Sequence, residues 1–307
     1  PANPTPTGAT GRVAPIPPVP SAQLRLTRAG RDGGFDVLPL HEPLVPGACM
    51  TACLLKPTPL VGTFHAAGTS ASYEYLSPAL RWLASRLDLR VVVSAEAEAL
   101  AKEHLGGSYE HLYNGIEVDR FAKAEPWPSE GRTIFFLGRH EPRKGLDVLL
   151  AALPGLPADV TVWIGSDGPD TEELKVRHAG DLRLVWLGRL SDDEKRQRLR
   201  AADVFCAPSL RGESFGVVLL EAMAAETAIV GSDLSGYRLV ARPDRDGVLV
   251  PPGDVAALGS ALTRVLDDTA LRTRLVASGI ERAQEFSMDR LADAYLELYE
   301  QVTTAAP

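Results

Sequence analysis

Short apolar runs alternate with longer amphipathic stretches along most of this 307-residue chain. The runs are rich in Val, Ile and Phe, which is typical of strands that are buried on both faces. In the C-terminal half six runs predict strands, at residues 133–137, 160–164, 182–187, 204–207, 228–231 and 247–250. Helical patterns lie between them, at residues 145–152, 171–179, 192–200, 216–224, 235–241 and 255–266. This alternation predicts a parallel sheet covered by helices, which is one complete Rossmann-like domain.

The N-terminal half has the same pattern with fewer elements. It predicts strands at residues 37–40, 60–64, 91–94 and 111–113, and helices near 77–86 and 96–105. A polar, Pro-containing stretch at 123–130 is typical of an interdomain linker. We therefore expect an N-terminal domain at 1–122, a C-terminal domain at 131–286, and a last amphipathic helix at 287–307.

Composition narrows the class of protein. The 45% apolar content suffices for a full core, and the net charge of −8 argues against a general nucleic-acid binder, which needs a basic face. No run of 18 apolar residues occurs, so we expect a soluble, cytoplasmic protein. The three cysteines, Cys49, Cys53 and Cys206, lack the spacing of a metal site, and we expect buried reduced thiols.

The first candidate site is the segment Leu137–Gly145, which reads LGRHEPRKG and lies where a predicted strand gives way to a helix. A glycine after a strand allows a tight turn, and Arg139 and Lys144 then place two cations beside a helix N-terminus. That arrangement suits a diphosphate. The alternative is that both cations are simply solvated.

The second candidate site is the segment Gly212–Ala224, in which Glu213 precedes a predicted helix and Glu221 lies two turns into it. The backbone N–H groups of residues 215–217 (Phe215, Gly216 and Val217) lie at the helix start and can hold phosphate oxygens. The two carboxylates can accept hydrogen bonds from sugar and ribose hydroxyls. The alternative is a pair of surface glutamates, one favoured by the helix dipole.

Taken together, the two motifs resemble the retaining glycosyltransferases of family 4, which have the GT-B fold of two Rossmann-like domains. Within that family the chain most resembles the actinobacterial phosphatidylinositol α-mannosyltransferases, over most of its length. The resemblance is carried by Phe35–Pro43, Thr63–His65, Val93–Ser94, Asn114–Gly115, Gly138–Gly145, Cys206–Pro208 and Gly212–Gly216. It implies an α/β protein whose domains face a cleft and whose C-terminal helix crosses back to the first domain.

The resemblance also implies roles for individual residues. Arg139 and Lys144 would neutralise the diphosphate leaving group, and Glu213 would orient the donor hexose. Glu221 would hold the ribose, and His65 would face the sugar and the acceptor across the cleft. No nucleophile is evident, so we expect a front-face displacement that retains the anomeric configuration.

The same resemblance assigns further residues to the donor. Gly138, Gly188 and Ser214 would line the nucleotide-sugar site together with the helix start at 215–217. Asp192 occupies the position at which GDP-using relatives bind guanine, but its place in the sequence favours the role of a helix N-cap over that one. The implied donor is GDP-mannose, and neither a further cofactor nor a divalent metal is indicated.

The acceptor side departs from the family pattern. Gln23 replaces a family arginine near the acceptor phosphate, and Arg25 two positions on can serve instead. The basic segment that docks relatives on anionic membrane is shortened to Arg25, Arg28 and Arg31. We also expect the first family strand, with its Gly-rich loop, to be missing from the N-terminal domain. The implied acceptor is the inositol ring of phosphatidylinositol, with peripheral contact at the inner face of the plasma membrane.

Glu226 departs from the pattern in the donor domain, because relatives have glycine there. If the position needs a positive φ, glutamate costs about 1–2 kcal/mol.

Two other functions remain open from the sequence. One is a transferase of similar fold that uses another nucleotide sugar and a soluble acceptor, such as an inositol phosphate or a glycan. The other is a catalytically silent nucleotide-sugar-binding protein. A dinucleotide-dependent dehydrogenase is a weaker alternative, because no Gly-x-Gly-x-x-Gly follows a predicted strand.

Overall fold

The structure is a computed structural model that describes residue 28, residues 32–65 and residues 77–305. Those residues fall into two compact units. The first unit contains the described residues up to Tyr113 and those from Leu291 onwards, and the second is Asn114–Arg290. No helix in these ranges is long and apolar enough to cross a membrane.

The first unit contains a parallel sheet of four strands in the order β1-β2-β3-β4. The strands are β1 (Leu38–His41), β2 (Leu60–Phe64), β3 (Leu89–Val92) and β4 (Glu110–His111). Among the described residues of the N-terminal half, the helices include α1 (Ala48–Leu55), α2 (Ser77–Ala84) and α3 (Ala95–Leu105). One apolar core lies between these helices and the sheet, centred on Leu60, Phe64 and Val92.

The second unit contains a parallel sheet of six strands in the order β10-β9-β8-β5-β6-β7. The strands are β5 (Arg132–Leu137), β6 (Val160–Gly165), β7 (Leu184–Gly188), β8 (Val204–Ala207), β9 (Ala228–Ser232) and β10 (Val248–Val250). Its helices are α4 (Val118–Ala122), α5 (Leu146–Ala152), α6 (Thr171–Arg177), α7 (Asp192–Ala201), α8 (Val217–Ala224), α9 (Ser235–Val240), α10 (Val255–Asp267) and α11 (Thr269–Glu285). This is the doubly wound order of a Rossmann fold, and the chain changes direction between β5 and β8.

The strands of the second unit bury both faces. Along β5, Ile134 and Phe136 face one core cluster, whereas Phe135 faces the other. Along β8, Cys206 faces the first cluster and Phe205 the second. Side chains alternate across a strand, so a continuous apolar run fills the space under helices on both sides. The predicted α/β class and Rossmann-like architecture are confirmed.

The last helix, α12 (Met288–Ala305), carries its apolar face into the first unit. Leu298 and Val302 pack against Val61 of β2 and Val91 of β3. Tyr295 Oη lies 3.0 Å from Thr63 Oγ1. The C-terminal residues thereby complete the core of the N-terminal sheet.

The change of unit lies earlier in the chain than the sequence predicts. Ile116, Val118 and Phe121 are buried in the core of the second unit. The chain therefore passes from the first unit to the second between residues 113 and 114, whereas the sequence predicts this boundary between residues 122 and 123. The segment predicted as a linker also lies against that unit, where the Arg198 guanidinium stacks on Trp127 and on Trp163. The partly buried Trp127 holds this segment against the unit, although most of its residues are exposed and its polar, Pro-containing sequence is typical of a linker.

The sequence pattern predicts none of the helices α1, α4 and α11. Helix α1 has the sequence ACMTACLL, which lacks a polar face and so gives no helical period. Helix α4 is only five residues long. Helix α11 lies against Met223 of α8 at Gly279. Because small residues such as Gly279 and Ala283 form part of its buried face, the apolar pattern along this helix is weak. The other predicted elements are present, with ends that differ by a few residues.

Candidate functional site

The two sequence motifs follow neighbouring strands at the point where the sheet of the second unit changes direction. Residues 138–145 follow β5, and residues 208–216 follow β8, which pairs with β5. In an open parallel sheet the crevice outside the carboxyl ends of two such strands is the usual place for a ligand. The topology therefore brings together motifs that lie about 70 residues apart in the sequence.

A glycine allows the two loops to touch. Gly145 has φ of 68°, and a Cβ there would lie 2.0 Å from the carbonyl oxygen of Pro208. The Leu210 N–H also donates to the Arg143 carbonyl at 2.8 Å. Any side chain at Gly145 would push the loops apart, so glycine is needed here for contact as well as for conformation.

Lys144 and Glu213 form the centre of this candidate site. Lys144 Nζ donates to Glu213 Oε1 at 2.5 Å, and the two side chains are 21% and 11% exposed. Arg143 Nη1 lies 3.7 Å from the same carboxylate oxygen, and its Nε lies 2.7 Å from Glu141 Oε1. The group combines two cations with two carboxylates, of which Glu213 accepts a hydrogen bond from Lys144, and this suits a diphosphate beside a polyol.

Arg139 is not part of this contact. Its guanidinium is more than half exposed and lies 3.7 Å from Glu141 Oε2. Gly138 and Gly188 lie at the carboxyl ends of β5 and β7, and the Gly188 carbonyl accepts a hydrogen bond from Ser166 N at 2.6 Å. All three residues lie at the carboxyl ends of the strands, but Gly188 is two strands away from β5, where the motifs meet.

The start of helix α8 presents backbone groups. Gly216 is the N-cap residue, with φ of 92°, and the helix begins at Val217. Ser214 is exposed, whereas the Phe215 ring is buried against Phe286 with the ring centroids 5.6 Å apart. Phe215 therefore anchors the loop by its side chain. The first N–H groups of a helix have no partner within the helix, so they suit phosphate oxygens.

Glu221 has a cationic partner on helix α7. Lys195 Nζ donates to Glu221 Oε1 at 2.8 Å and lies 5.5 Å from the centroid of the Phe121 ring. Asp192 is exposed in the first turn of α7. The expected N-cap role of Asp192 is wrong, because the Ser191 hydroxyl caps this helix by accepting a hydrogen bond from Glu194 N at 3.1 Å.

His65 lies in the first unit, directly after β2. Its Nε2 is 2.8 Å from Nδ1 of His41, the last residue of β1, and its backbone N–H donates to Glu42 Oε1 at 2.7 Å. Burial, with a smaller contribution from His41, holds the pKa of His65 below its ordinary value of 6.5. The ring is therefore a neutral hydrogen-bonding group near pH 7. Gln23 and Arg25, the predicted acceptor residues, lie outside the described residues.

Family models match both parts of the chain. Residues 117–282 match the model "Glycosyl transferases group 1", and residues 5–120 match "Glycosyltransferase Family 4". The chain is also 40% identical to the phosphatidyl-myo-inositol mannosyltransferase of Mycobacterium leprae, over 96% of this chain and 81% of that protein. The chain belongs to the group 1 glycosyltransferases.

Solved structures show the same fold for this glycosyltransferase. Sucrose-phosphate synthase from Thermosynechococcus elongatus aligns with a TM-score of 0.76 and 22% identity, over 97% of this chain and 82% of that one. HepE from Anabaena, solved in complex with UDP, aligns with a TM-score of 0.74 and 19% identity, over 92% and 82%. The GT-B class expected from the resemblance is thereby confirmed.

The sequence does not predict two contacts of this glycosyltransferase, that of Lys195 with Glu221 and that of His41 with His65, although His41 lies in the segment Phe35–Pro43 that carries the resemblance. Lys195 lies three positions after Asp192, and this spacing indicates that the two residues share one face of α7. His41 is the last residue of β1, and His65 directly follows β2. Because these two strands are adjacent and parallel, their carboxyl ends lie at the same edge of the sheet. The sequence contains both the helical spacing and the strand ends. They predict a contact only when it is known which helices and strands are neighbours.

Proposed function

We propose that this glycosyltransferase moves mannose from GDP-mannose to the inositol ring of a phosphatidylinositol, with retention of the anomeric configuration. The observation that carries the proposal is the 40% identity, over almost the whole chain, to a relative that is named a phosphatidyl-myo-inositol mannosyltransferase. A protein of this kind would work at the inner face of the plasma membrane, as a peripheral enzyme.

The donor would bind where the sheet of the second unit changes direction, at the carboxyl ends of β5 and β8. Arg139 and Lys144 would neutralise the diphosphate, and N–H groups at the start of α8 would hold phosphate oxygens. Glu213 would orient the mannose, and Glu221 the ribose. The 2.5 Å contact between Lys144 and Glu213 supports this division of roles, because it puts a cation and a hydrogen-bond acceptor side by side where phosphate and sugar adjoin.

The transfer would be a front-face displacement. The inositol hydroxyl oxygen bonds to C1 of mannose on the face from which GDP leaves, and the bond between C1 and the phosphate oxygen breaks. A diphosphate oxygen takes the hydroxyl proton, so charge and atoms balance. The residues of the site act mainly by stabilising the negative charge that grows on the departing diphosphate, which is commonly the largest contribution to such catalysis. The proposed role of His65 is a contact with the sugar and the acceptor.

Calorimetric titration with GDP, UDP and ADP tests the assignment of the base. We expect GDP to bind most tightly, and tighter binding of UDP would overturn the assignment. Incubation with GDP-mannose and phosphatidylinositol should then release GDP only when the lipid is present. Proton NMR of the product should show an α-mannoside. Absence of acceptor-dependent release, with nucleotide still bound, would identify a silent binding protein instead.

Flotation with vesicles tests the acceptor. The full chain should float with vesicles that contain phosphatidylinositol and stay behind with pure phosphatidylcholine, and added salt should weaken the binding. Transfer to free inositol phosphate with no binding to vesicles would favour a soluble acceptor.

A further inference from the structure

A buried tyrosine lies behind the Glu213 loop. Tyr237 belongs to the short helix α9 and is 1% exposed. The helix approaches the loop closely at the preceding residue, because a Cβ at Gly236 would lie 1.8 Å from the Glu213 carbonyl oxygen. The Tyr237 ring also borders Gly216, where an added Cβ would meet it at 2.8 Å. Gly236 and Tyr237 therefore pack against the loop that carries Glu213, the first at Glu213 itself and the second at Gly216.

The hydroxyl of Tyr237 connects to Glu213 through Ser209. Tyr237 Oη lies 3.0 Å from Ser209 Oγ, and Ser209 Oγ donates to Glu213 Oε1 at 2.9 Å. Lys144 donates to the same oxygen. An ionised carboxylate only accepts hydrogen bonds, so the single hydroxyl hydrogen of Ser209 goes to Glu213. Tyr237 is therefore the donor to Ser209, and the direction of both hydrogen bonds is fixed.

We propose that Tyr237 and Ser209 are positioning residues that hold the Glu213 carboxylate in the orientation in which it receives the donor hexose. The inference rests on the proposed function, because it takes the hexose as the ligand of Glu213. The two hydroxyls would not touch the sugar. Ser209, held by Tyr237, and Lys144 both donate to Oε1 of Glu213. The other carboxylate oxygen would then receive a sugar hydroxyl.

The surroundings of Tyr237 make this role specific to its hydroxyl. The ring lies in the apolar cluster of Phe215, Leu219 and Val240, which a phenylalanine would fill equally well. Burial raises the pKa of Tyr237 far above its ordinary value of 10, and the nearby Glu213 adds to the shift. The phenol thus stays protonated near neutral pH and remains a hydrogen-bond donor.

The test compares nucleotide with nucleotide sugar. Calorimetry measures the affinities for GDP and for GDP-mannose of the wild type, Tyr237→Phe, Glu213→Gln and the double variant. Tyr237→Phe should weaken GDP-mannose binding about fivefold, which corresponds to the loss of one hydrogen bond between Glu213 and the sugar, and leave GDP binding unchanged. In the Glu213→Gln background the same substitution should have no further effect, because the hydroxyl acts only through the carboxylate.

Two further variants complete the design. Ser209→Ala removes the middle of the chain and should reproduce the effect of Tyr237→Phe. Tyr109→Phe removes another buried phenol, which donates to the Gly106 carbonyl at 3.0 Å in the first unit, and it should leave both affinities unchanged. Equal loss of GDP and GDP-mannose affinity, or additive effects with Glu213→Gln, would overturn the positioning role. A wild type that binds GDP but gains nothing from the mannose would instead overturn the proposed function, and the inference with it.

Discussion

Lys144 Nζ and Glu213 Oε1 lie 2.5 Å apart although 69 positions separate the two residues in the sequence. The pairing of β5 with β8 places their loops side by side, and Gly145 allows the loops to touch. Each side chain therefore holds the other before any donor arrives. A cation that is already oriented needs no reorganisation as charge develops on the leaving group, and this is the condition for strong electrostatic catalysis.

Replacement of the cation should mainly affect turnover. In Lys144→Ala we expect kcat to fall about 100- to 1000-fold, because the charge that Lys144 meets grows in the transition state. Arg139→Ala should change kcat in the same direction. Release of GDP from GDP-mannose in the presence of acceptor measures both. Lys175→Ala, which removes an exposed lysine paired with Glu172, is the control, and a kcat for Lys144→Ala within threefold of the wild type would contradict the role.

Replacement of Glu221 should mainly affect donor binding. The proposed ribose contacts are the same in the ground state and in the transition state, so their loss is a loss of uniform binding. In Glu221→Ala we expect the donor KM to rise about tenfold with little change in kcat. Lys195→Ala should raise KM by less, because it removes only the partner that holds Glu221. Initial-rate measurements over a range of GDP-mannose concentrations separate the two parameters, and an unchanged KM in Glu221→Ala would exclude the ribose role.

The sequence predicts the sheet of the second unit well, because buried parallel strands leave a plain signal. The runs at 133–137 and 204–207 are unbroken, and they form β5 and β8, the two central strands of the sheet. Lys144 and Glu213 are also predicted, because their chemistry depends on short motifs. The link from Ser209 to Tyr237 is not predicted, since it arises where two loops and a short helix pack together, and no spacing along the chain encodes that contact.

His65 should affect transfer without affecting nucleotide binding. All residues assigned to the nucleotide lie in the second unit, whereas His65 lies in the first. His65→Ala should therefore leave the affinity for GDP within about twofold and lower kcat. His41→Asn preserves a polar atom near the position of Nδ1 and should retain more activity than His41→Ala, because His41 Nδ1 contacts His65. Loss of GDP binding in His65→Ala would contradict this division between the units.

A buried histidine should make stability depend on pH. His140 is 1% exposed, and burial holds its pKa below its ordinary value of 6.5. Below pH 6.5 the unfolded chain binds a proton at this residue that the folded protein does not bind. The stability that the fold gains from the neutral His140 is therefore complete above pH 6.5. It is lost as the pH falls towards the pKa of His140 in the folded protein, by at most about 1.4 kcal/mol for each pH unit.

The variant His140→Asn tests that dependence. Asparagine can keep the hydrogen bond that joins His140 Nδ1 to Thr171 Oγ1 at 2.8 Å, but it has no proton to gain. Urea unfolding at pH 7.5 and at pH 5.5 should show a smaller loss of stability in the variant than in the wild type. Equal losses would mean that other groups carry the pH dependence.

Glu226 should be a site where glycine stabilises the protein. Helix α8 ends in a Schellman motif, in which Glu226 N donates to the Met223 carbonyl and Thr227 N to the Ala222 carbonyl, both at 3.0 Å. The motif needs a left-handed residue after the helix, and Glu226 has φ of 59°. Glu226 thus has the positive φ that the sequence analysis named as a condition for strain. The Cβ atom of glutamate makes this conformation unfavourable. In return Glu226 gains an ion pair with Arg200 at 2.8 Å, which is partly exposed and worth little.

Two substitutions at this position separate the backbone effect from the ion pair. Glu226→Gly removes both the strain and the ion pair, and it should raise the free energy of unfolding by about 1 kcal/mol. Glu226→Ala removes the ion pair but keeps Cβ, so it should leave stability unchanged or slightly lower. Urea unfolding followed by circular dichroism measures the difference between the two variants, which isolates the cost of the left-handed conformation. If Gly and Ala gave the same stability, the strain at Glu226 would be negligible and the ion pair with Arg200 would be the main effect of the glutamate.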